Sequence, residues 1–171
     1  AGSPWIEEEI GGFRFRVGPL SFMQVNPWQT ARLYDTIVDL AGIRPDDLVY
    51  DLYCGAGTIS SWAARKARRV VGLEYVQEAV DAARKTAELN DIHNCEFFAG
   101  DMRHLLSPAF IGTHGTPEVI ITDPPRAGMH PDVTRLLCTL RPRTLIYVAC
   151  KTSSLRRDLE ILRSAYRVTR I

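Results

Sequence analysis

From Leu48 onward, short apolar runs alternate with stretches of helical period. The runs fall at 48–53, 69–74, 95–99, 119–122, 144–149 and 167–171. Between them, the spacing of apolar positions predicts helices over 58–66, 76–89, 131–140 and 153–164, with a short turn near 102–106. Strands that are apolar on both faces and separated by helices predict a mostly parallel sheet covered on both sides, an α/β fold of the doubly wound kind. Ahead of this region the pattern changes. Residues 5–10 and the strictly alternating Phe13-Arg14-Phe15-Arg16-Val17, joined by Gly11-Gly12, predict a hairpin or paired extended segments. Asn26 is placed to cap a helix with Pro27 at its first position. Ala31, Tyr34, Ile37, Val38 and Ala41 share one face of it, and Gly42 supplies the stop. The organisation expected is an extended segment over 1–26 leading into one domain over 27–171.

Composition narrows this only a little. Hydrophobic residues make up 46% of the 171 and charged residues 24%, as in ordinary globular chains. No run is apolar enough for a membrane helix, and no signal peptide opens the chain. Cys54, Cys95, Cys138 and Cys150 lack CxxC spacing, which suits a reducing cytoplasm and offers no zinc site. His93, His104, His114 and His130 lack i,i+4 or HxH pairing and read as surface or loop residues, so no metal is expected. The net charge of +1 divides into +6 over 141–171 and −5 over the rest. A basic third of this kind faces a polyanion, or is equally well a solvated helix and its flanks.

The chemistry gathers at predicted strand ends. Asp51-Leu52-Tyr53-Cys54-Gly55-Ala56-Gly57 closes the first parallel strand and opens a helix. Gly55 and Gly57 allow a sharp turn and a close approach by a ligand. Glu74 ends the second strand, 23 residues after Asp51, where an acid can accept from both hydroxyls of a ribose. Asp101 follows the third strand, within reach of an adenine amino group. A glycine pair alone is common in tight turns. A dinucleotide fingerprint would also want a third glycine where Ser60 stands. That departure, with Asp51 ahead of it, favours a sulfonium cofactor over a nicotinamide one. At this point the chain resembles the class I S-adenosylmethionine-dependent methyltransferases, with their Rossmann-like sheet.

Two further strands end in Asp123-Pro124-Pro125-Arg126-Ala127-Gly128 and in Tyr147-Val148-Ala149-Cys150-Lys151. Methyltransferases of amino groups usually place an aromatic after the two prolines, so Arg126 suggests a different target atom. Cys150 is a candidate nucleophile for covalent catalysis. Lys151, Arg156, Arg157 and a helix start at Ser153 give it the positive surroundings that favour a thiolate. Its ordinary alternative is a buried packing residue, which also accounts for Cys54, Cys95 and Cys138.

Together with Ser21-Phe22-Met23-Gln24-Val25-Asn26 and Val71-Gly72-Leu73-Glu74, these stretches resemble the RNA (uracil-5-)methyltransferase family over residues 21–150. The resemblance implies S-adenosylmethionine as cofactor, held by Gln24, Tyr53, Gly55, Gly57, Glu74 and Asp101. Asp123 would lie between cofactor and base, and Cys150 would add to uracil C6. The partner implied is RNA, with 23S rRNA favoured over tRNA, and Arg126 and Lys151 would meet phosphates near the flipped uridine. The chain departs from the family in having Lys151-Thr152 where Asn-Pro commonly follows the nucleophile. The family's general base, a glutamate in a His-x-Glu segment, has no match up to Ile171. The chain therefore reads as a fragment truncated before its last strands and impaired in turnover. Two rival readings stay open: a class I methyltransferase of another substrate with a structural Cys150, and a cofactor-binding module without catalysis.

Overall fold

A computed structural model describes residues 6–17 and 27–171. The predicted cap Asn26, the predicted cofactor residue Gln24 and the stretch around it lie outside the described residues. The chain begins as a hairpin of β1 (Ile6–Ile10) and β2 (Phe13–Val17), whose turn Gly11-Gly12 has positive φ at both positions. Helix α1 (Pro27–Ala41) follows. The central sheet then takes its strands from β3 (Leu48–Leu52), β4 (Arg69–Glu74), β5 (Cys95–Ala99), β6 (Val119–Thr122) and β7 (Thr144–Tyr147). Their spatial order is β5-β4-β3-β6-β7, and every pair is parallel. The connecting helices are α2 (Thr58–Ala64), α3 (Gln77–Leu89), α4 (Met102–Leu105), α5 (Pro108–His114) and α6 (Pro131–Leu140), and α7 (Thr152–Leu162) follows β7.

The central strands are buried on both faces, as continuous apolar runs require. Val49, Val70, Val119 and Ile121 join one core, while Tyr50, Leu52, Val71, Leu73 and Ile120 join another on the opposite face. The hairpin is part of the first core. Ile10, Phe13 and Phe15 pack with Tyr34 of α1 and Trp62 of α2, the Phe13 and Trp62 ring centroids lying 4.6 Å apart. Arg65 caps that stack, its guanidinium 3.8 Å from the Phe13 ring centre.

Two expectations differ from the structure. Residues 167–171 are exposed and form no strand; helix α7 ends at Leu162 and no sheet neighbour meets that stretch. The β-branched Val168, Thr169 and Ile171 favour an extended chain, but a strand needs a partner edge, and the described residues bring none to it. Residues 108–114, for which the pattern predicted no element, form α5, begun by Ser107 as cap with Pro108 at the first position. His114, expected to be a surface or loop residue, ends that helix against the rings of Phe98 and Phe110. Among the described residues, no helix is long and apolar enough to cross a membrane.

Gly72, at the middle of β4, is a steric requirement. A β-carbon there would lie 2.5 Å from the Phe97 ring and 3.0 Å from Cys54 Sγ. Gly72→Ala is expected to cost about 1–3 kcal/mol through overpacking, read as a lowered urea midpoint; an unchanged midpoint would show that the Phe97 ring moves freely.

Candidate active site

Parallel pairing brings the ends of all five central strands to one edge, and the register says which residues meet there. Leu52 is flanked by Leu73 and by Thr122, Thr122 by Tyr147, and Glu74 by Ala99. Across the edge, the order is therefore Asp101, Glu74, the 53–57 turn, Asp123 and the 148–151 segment carrying Cys150.

The 53–57 turn is left-handed at Tyr53, Gly55 and Gly57, with φ of 61°, 53° and 76°. A side chain at Gly57 would press on Ala83 and Phe97, whereas one at Gly55 would meet only open space. Glu74 holds this turn in place. Its carboxylate accepts from the Gly55 N–H at 3.1 Å with one oxygen and from the Tyr75 and Val76 N–H groups at 2.7 and 3.0 Å with the other. The oxygen that meets Gly55 keeps a lone pair for a further donor such as a ribose hydroxyl. Burial pushes the half-buried Tyr53 phenol up to about 12, with the charges of Asp158, Asp101 and Glu74 adding to it, so it remains a neutral donor. Asp101 caps α4, accepting from the Arg103 N–H at 2.9 Å, and the Arg103 guanidinium holds its carboxyl well below the usual range. Beside Glu74 stands a ring that the pattern of the chain did not single out: Tyr75, 71% exposed.

Beneath the turn lies an unusual carboxylate. Asp51 is fully buried, and Ser60 Oγ donates to its Oδ2 at 2.6 Å. Its other oxygen has no hydrogen-bond partner among the described residues. Burial raises it from 3.8 to about 7; Ser60 opposes the rise, and the charges of Asp123 and Glu74 reinforce it. Asp123 is itself raised by burial. Tyr34 of α1 is raised by burial, countered by hydrogen bonding with Thr58 and reinforced by the charges of Asp123 and Asp51. An unpartnered buried oxygen among other acids fits a ligand that brings positive charge or N–H donors to this edge.

The other end of the edge is more open. Asp123 is half-buried and Pro124 buried, while Pro125 and Arg126 are exposed. Cys150 is an exposed free thiol just past β7, which ends two residues sooner than expected, at Tyr147. Lys151 is exposed at the N-cap of α7, without a side-chain capping bond. The other cysteines pack. Burial pushes Cys54 well up and Cys95 to about 12, and half-buried Cys138 sits with its sulfur 3.7 Å from the Ile161 carbonyl.

Known proteins share this arrangement. A family model described as "Methyltransferase domain" matches residues 43–122, and one described as "tRNA (Uracil-5-)-methyltransferase" matches 113–171. A Bacteroides thetaiotaomicron protein named "Uncharacterized RNA methyltransferase" is 47% identical over 98% of this chain and 37% of its own length. A Porphyromonas gingivalis protein of the same name is 47% identical over 94% of this chain and 35% of its own length. Among solved structures, the tRNA (uracil-54, C5)-methyltransferase of Pyrococcus abyssi in complex with S-adenosyl-L-homocysteine is similar. It superposes with a TM-score of 0.83 at 28% identity, over 99% of this chain and 40% of that one. The sheet and these matches define a class I S-adenosylmethionine-dependent methyltransferase fold. Within that class the chain is similar to RNA methyltransferases, and over residues 113–171 to those of the tRNA (uracil-5-) type. It spans little more than a third of the length of the curated relatives it matches.

Asp51 generates a pH dependence. Between pH 3.8 and about 7 the folded protein without ligand keeps a proton that the unfolded chain has released. Stability therefore falls as pH rises through that window. Asp51→Asn is expected to flatten the slope, read by urea unfolding at several pH values; an unaltered slope would assign it to another group.

Proposed function

We propose that the protein carrying this chain methylates C5 of a uridine in RNA through a covalent bond between Cys150 Sγ and uracil C6. The observation that carries this reading is the place of Cys150. It is an exposed thiol at the end of β7, one strand from Asp123 and two from the glycine turn.

The cofactor side fits S-adenosylmethionine. Tyr53, Gly55 and Gly57 would form the turn beneath it, Glu74 and Asp101 would take its adenosine part, and the family resemblance adds Gln24. The unpartnered oxygen of Asp51 suits the positively charged methionine end. Bound there, S-adenosylmethionine supplies an electrophilic methyl group to a base carbon that is a poor nucleophile by itself. Cys150 remedies this: its thiolate adds to C6, and the electron pair displaced from the C5–C6 bond makes C5 an enolate carbon. Once C5 has been alkylated and has lost its proton, the C6–S bond breaks, the double bond returns and the thiolate is regenerated. The resemblance assigns that proton to a glutamate beyond Ile171. Asp123, half-buried at the strand between, is placed to hold the base or the cofactor by hydrogen bonds. A stacked uracil hides C6, so the uridine must be flipped out, and the exposed Arg126 and Lys151 would meet flanking phosphates. The resemblance favours 23S rRNA in the cytoplasm as substrate, with tRNA as the competing RNA.

Intact-mass measurement on the full-length protein with S-adenosylmethionine and 5-fluorouridine-substituted rRNA or tRNA fragments tests this. Fluorine cannot leave C5 as a cation, so a methylated adduct is expected to accumulate on the wild type and vanish in Cys150→Ala. Methyl transfer that survives Cys150→Ala would leave the thiol without a catalytic role and shift the target to another atom.

A further inference from the structure

Asp158 of α7, eleven residues beyond the end of β7, is an acid with almost no access to water, its side chain 1% exposed. Its carboxylate is fully engaged. One oxygen accepts from the Met129 N–H at 2.8 Å and from the Tyr147 hydroxyl at 2.7 Å. The other accepts from Arg157 Nε at 3.0 Å and Nη2 at 2.7 Å. The same Nη2 reaches the carbonyls of Ala127 and Met129 at 2.9 and 3.1 Å. Three segments thus meet on one side chain: the loop that follows Asp123, the last residue of β7 three positions before Cys150, and the helix that begins two positions after it.

The loop is shaped to admit this contact. Gly128 has a φ of 79°, and a β-carbon there would lie 2.5 Å from Arg157 Nη2, 2.7 Å from Asp158 Oδ2 and 3.0 Å from Ser154 Cβ. The chain therefore passes the carboxylate with backbone alone. Met129, buried beside it, accepts a weak contact from Thr122 Oγ1 at 3.6 Å, which ties the loop back to the strand that carries Asp123. Charge-assisted bonds to a buried carboxylate are short and directional, so they set the spacing of what they join more narrowly than apolar packing does.

We infer that Asp158, with Arg157, is a positioning residue for the reaction proposed above: it fixes the 123–129 loop relative to Cys150 and so sets the approach of the thiol to the base. This rests on Cys150 being the nucleophile, and it assigns Asp158 no contact with substrate or cofactor. Asp158→Asn replaces one accepting oxygen by a donor and must oppose either the Arg157 fork or the Met129 and Tyr147 donors. Tyr147→Phe removes one bond and leaves the carboxylate. Arg157→Lys keeps the charge and loses the fork.

The test is the single-turnover rate of the 5-fluorouridine adduct, with full-length protein, cofactor and RNA all saturating, well below each variant's melting temperature. S-adenosylhomocysteine affinity is measured alongside. Misplacement by a fraction of an ångström to one ångström is expected to slow Asp158→Asn about 10- to 100-fold. Tyr147→Phe and Arg157→Lys should fall between it and the wild type, all three binding S-adenosylhomocysteine within about threefold of wild type. Wild-type adduct rates in the variants would overturn the inference, and so would a loss of cofactor affinity that matches the loss of rate. Should Asp158→Asn fail to fold, the two milder variants decide the matter by the same criteria. A wild type that forms no Cys150 adduct defeats the proposed function instead, a result distinct from either.

Discussion

The ladder between β3 and its two neighbours carries the rest of this structure. Leu48–Leu52 pairs in parallel with β4 on one side and β6 on the other, and its residues are buried throughout. A parallel pair cannot be closed by a short turn, so every return crosses a face of the sheet as a helix or loop. All five strands then point the same way and release their next residues at one edge. Side chains as distant in sequence as Glu74 and Cys150 come to lie along that one edge for this reason alone. In open α/β sheets this is where ligands bind.

Three buried aspartates show how the fold treats charge. Asp47, near the start of β3, receives the Arg143 guanidinium at 2.9 and 2.6 Å and the Arg44 N–H at 2.7 Å, and these bonds hold its carboxyl below the ordinary range. Asp158 is satisfied on both oxygens. Asp51 has Ser60 on one oxygen and nothing on the other. Burying a carboxylate without partners is costly, and a protein that needed Asp51 only for folding would do better with an apolar residue or a matched cation. The contrast singles out Asp51 as the one of the three with an oxygen left unpartnered among the described residues, at the point where the glycine turn opens.

Much of this was legible along the chain. Apolar runs without alternation gave the bounds of β4, β5 and β6, and their spacing the parallel sheet. Pro131 and the periodicity after it gave α6. The glycines after β3 and the acid at the end of β4 were visible because they stand beside such runs, where few other roles suit them. Cys150 stood out for the same reason. The helix over 108–114 could have been read from Ser107 and Pro108, a capping residue before a proline, but it offers no broad apolar face. Gln24 remains an expectation from resemblance, outside the described residues.

The local pattern determined the elements and the residues that close them, because period, caps and turns depend on neighbours a few positions away. It could not decide the fate of 167–171, since β-branched residues favour an extended chain while a strand also needs an edge to join. It marked Arg157 only as part of the positive surroundings of Cys150 and did not single out Asp158. Only tertiary structure turned Asp158 inward, onto a backbone amide 29 residues away and a tyrosine on the neighbouring strand. The open oxygen of Asp51 was likewise invisible beforehand, because burial and missing partners belong to what surrounds a residue in space. Hydrogen bonds across such separations follow from strand order and helix docking, and no short window of residues contains them.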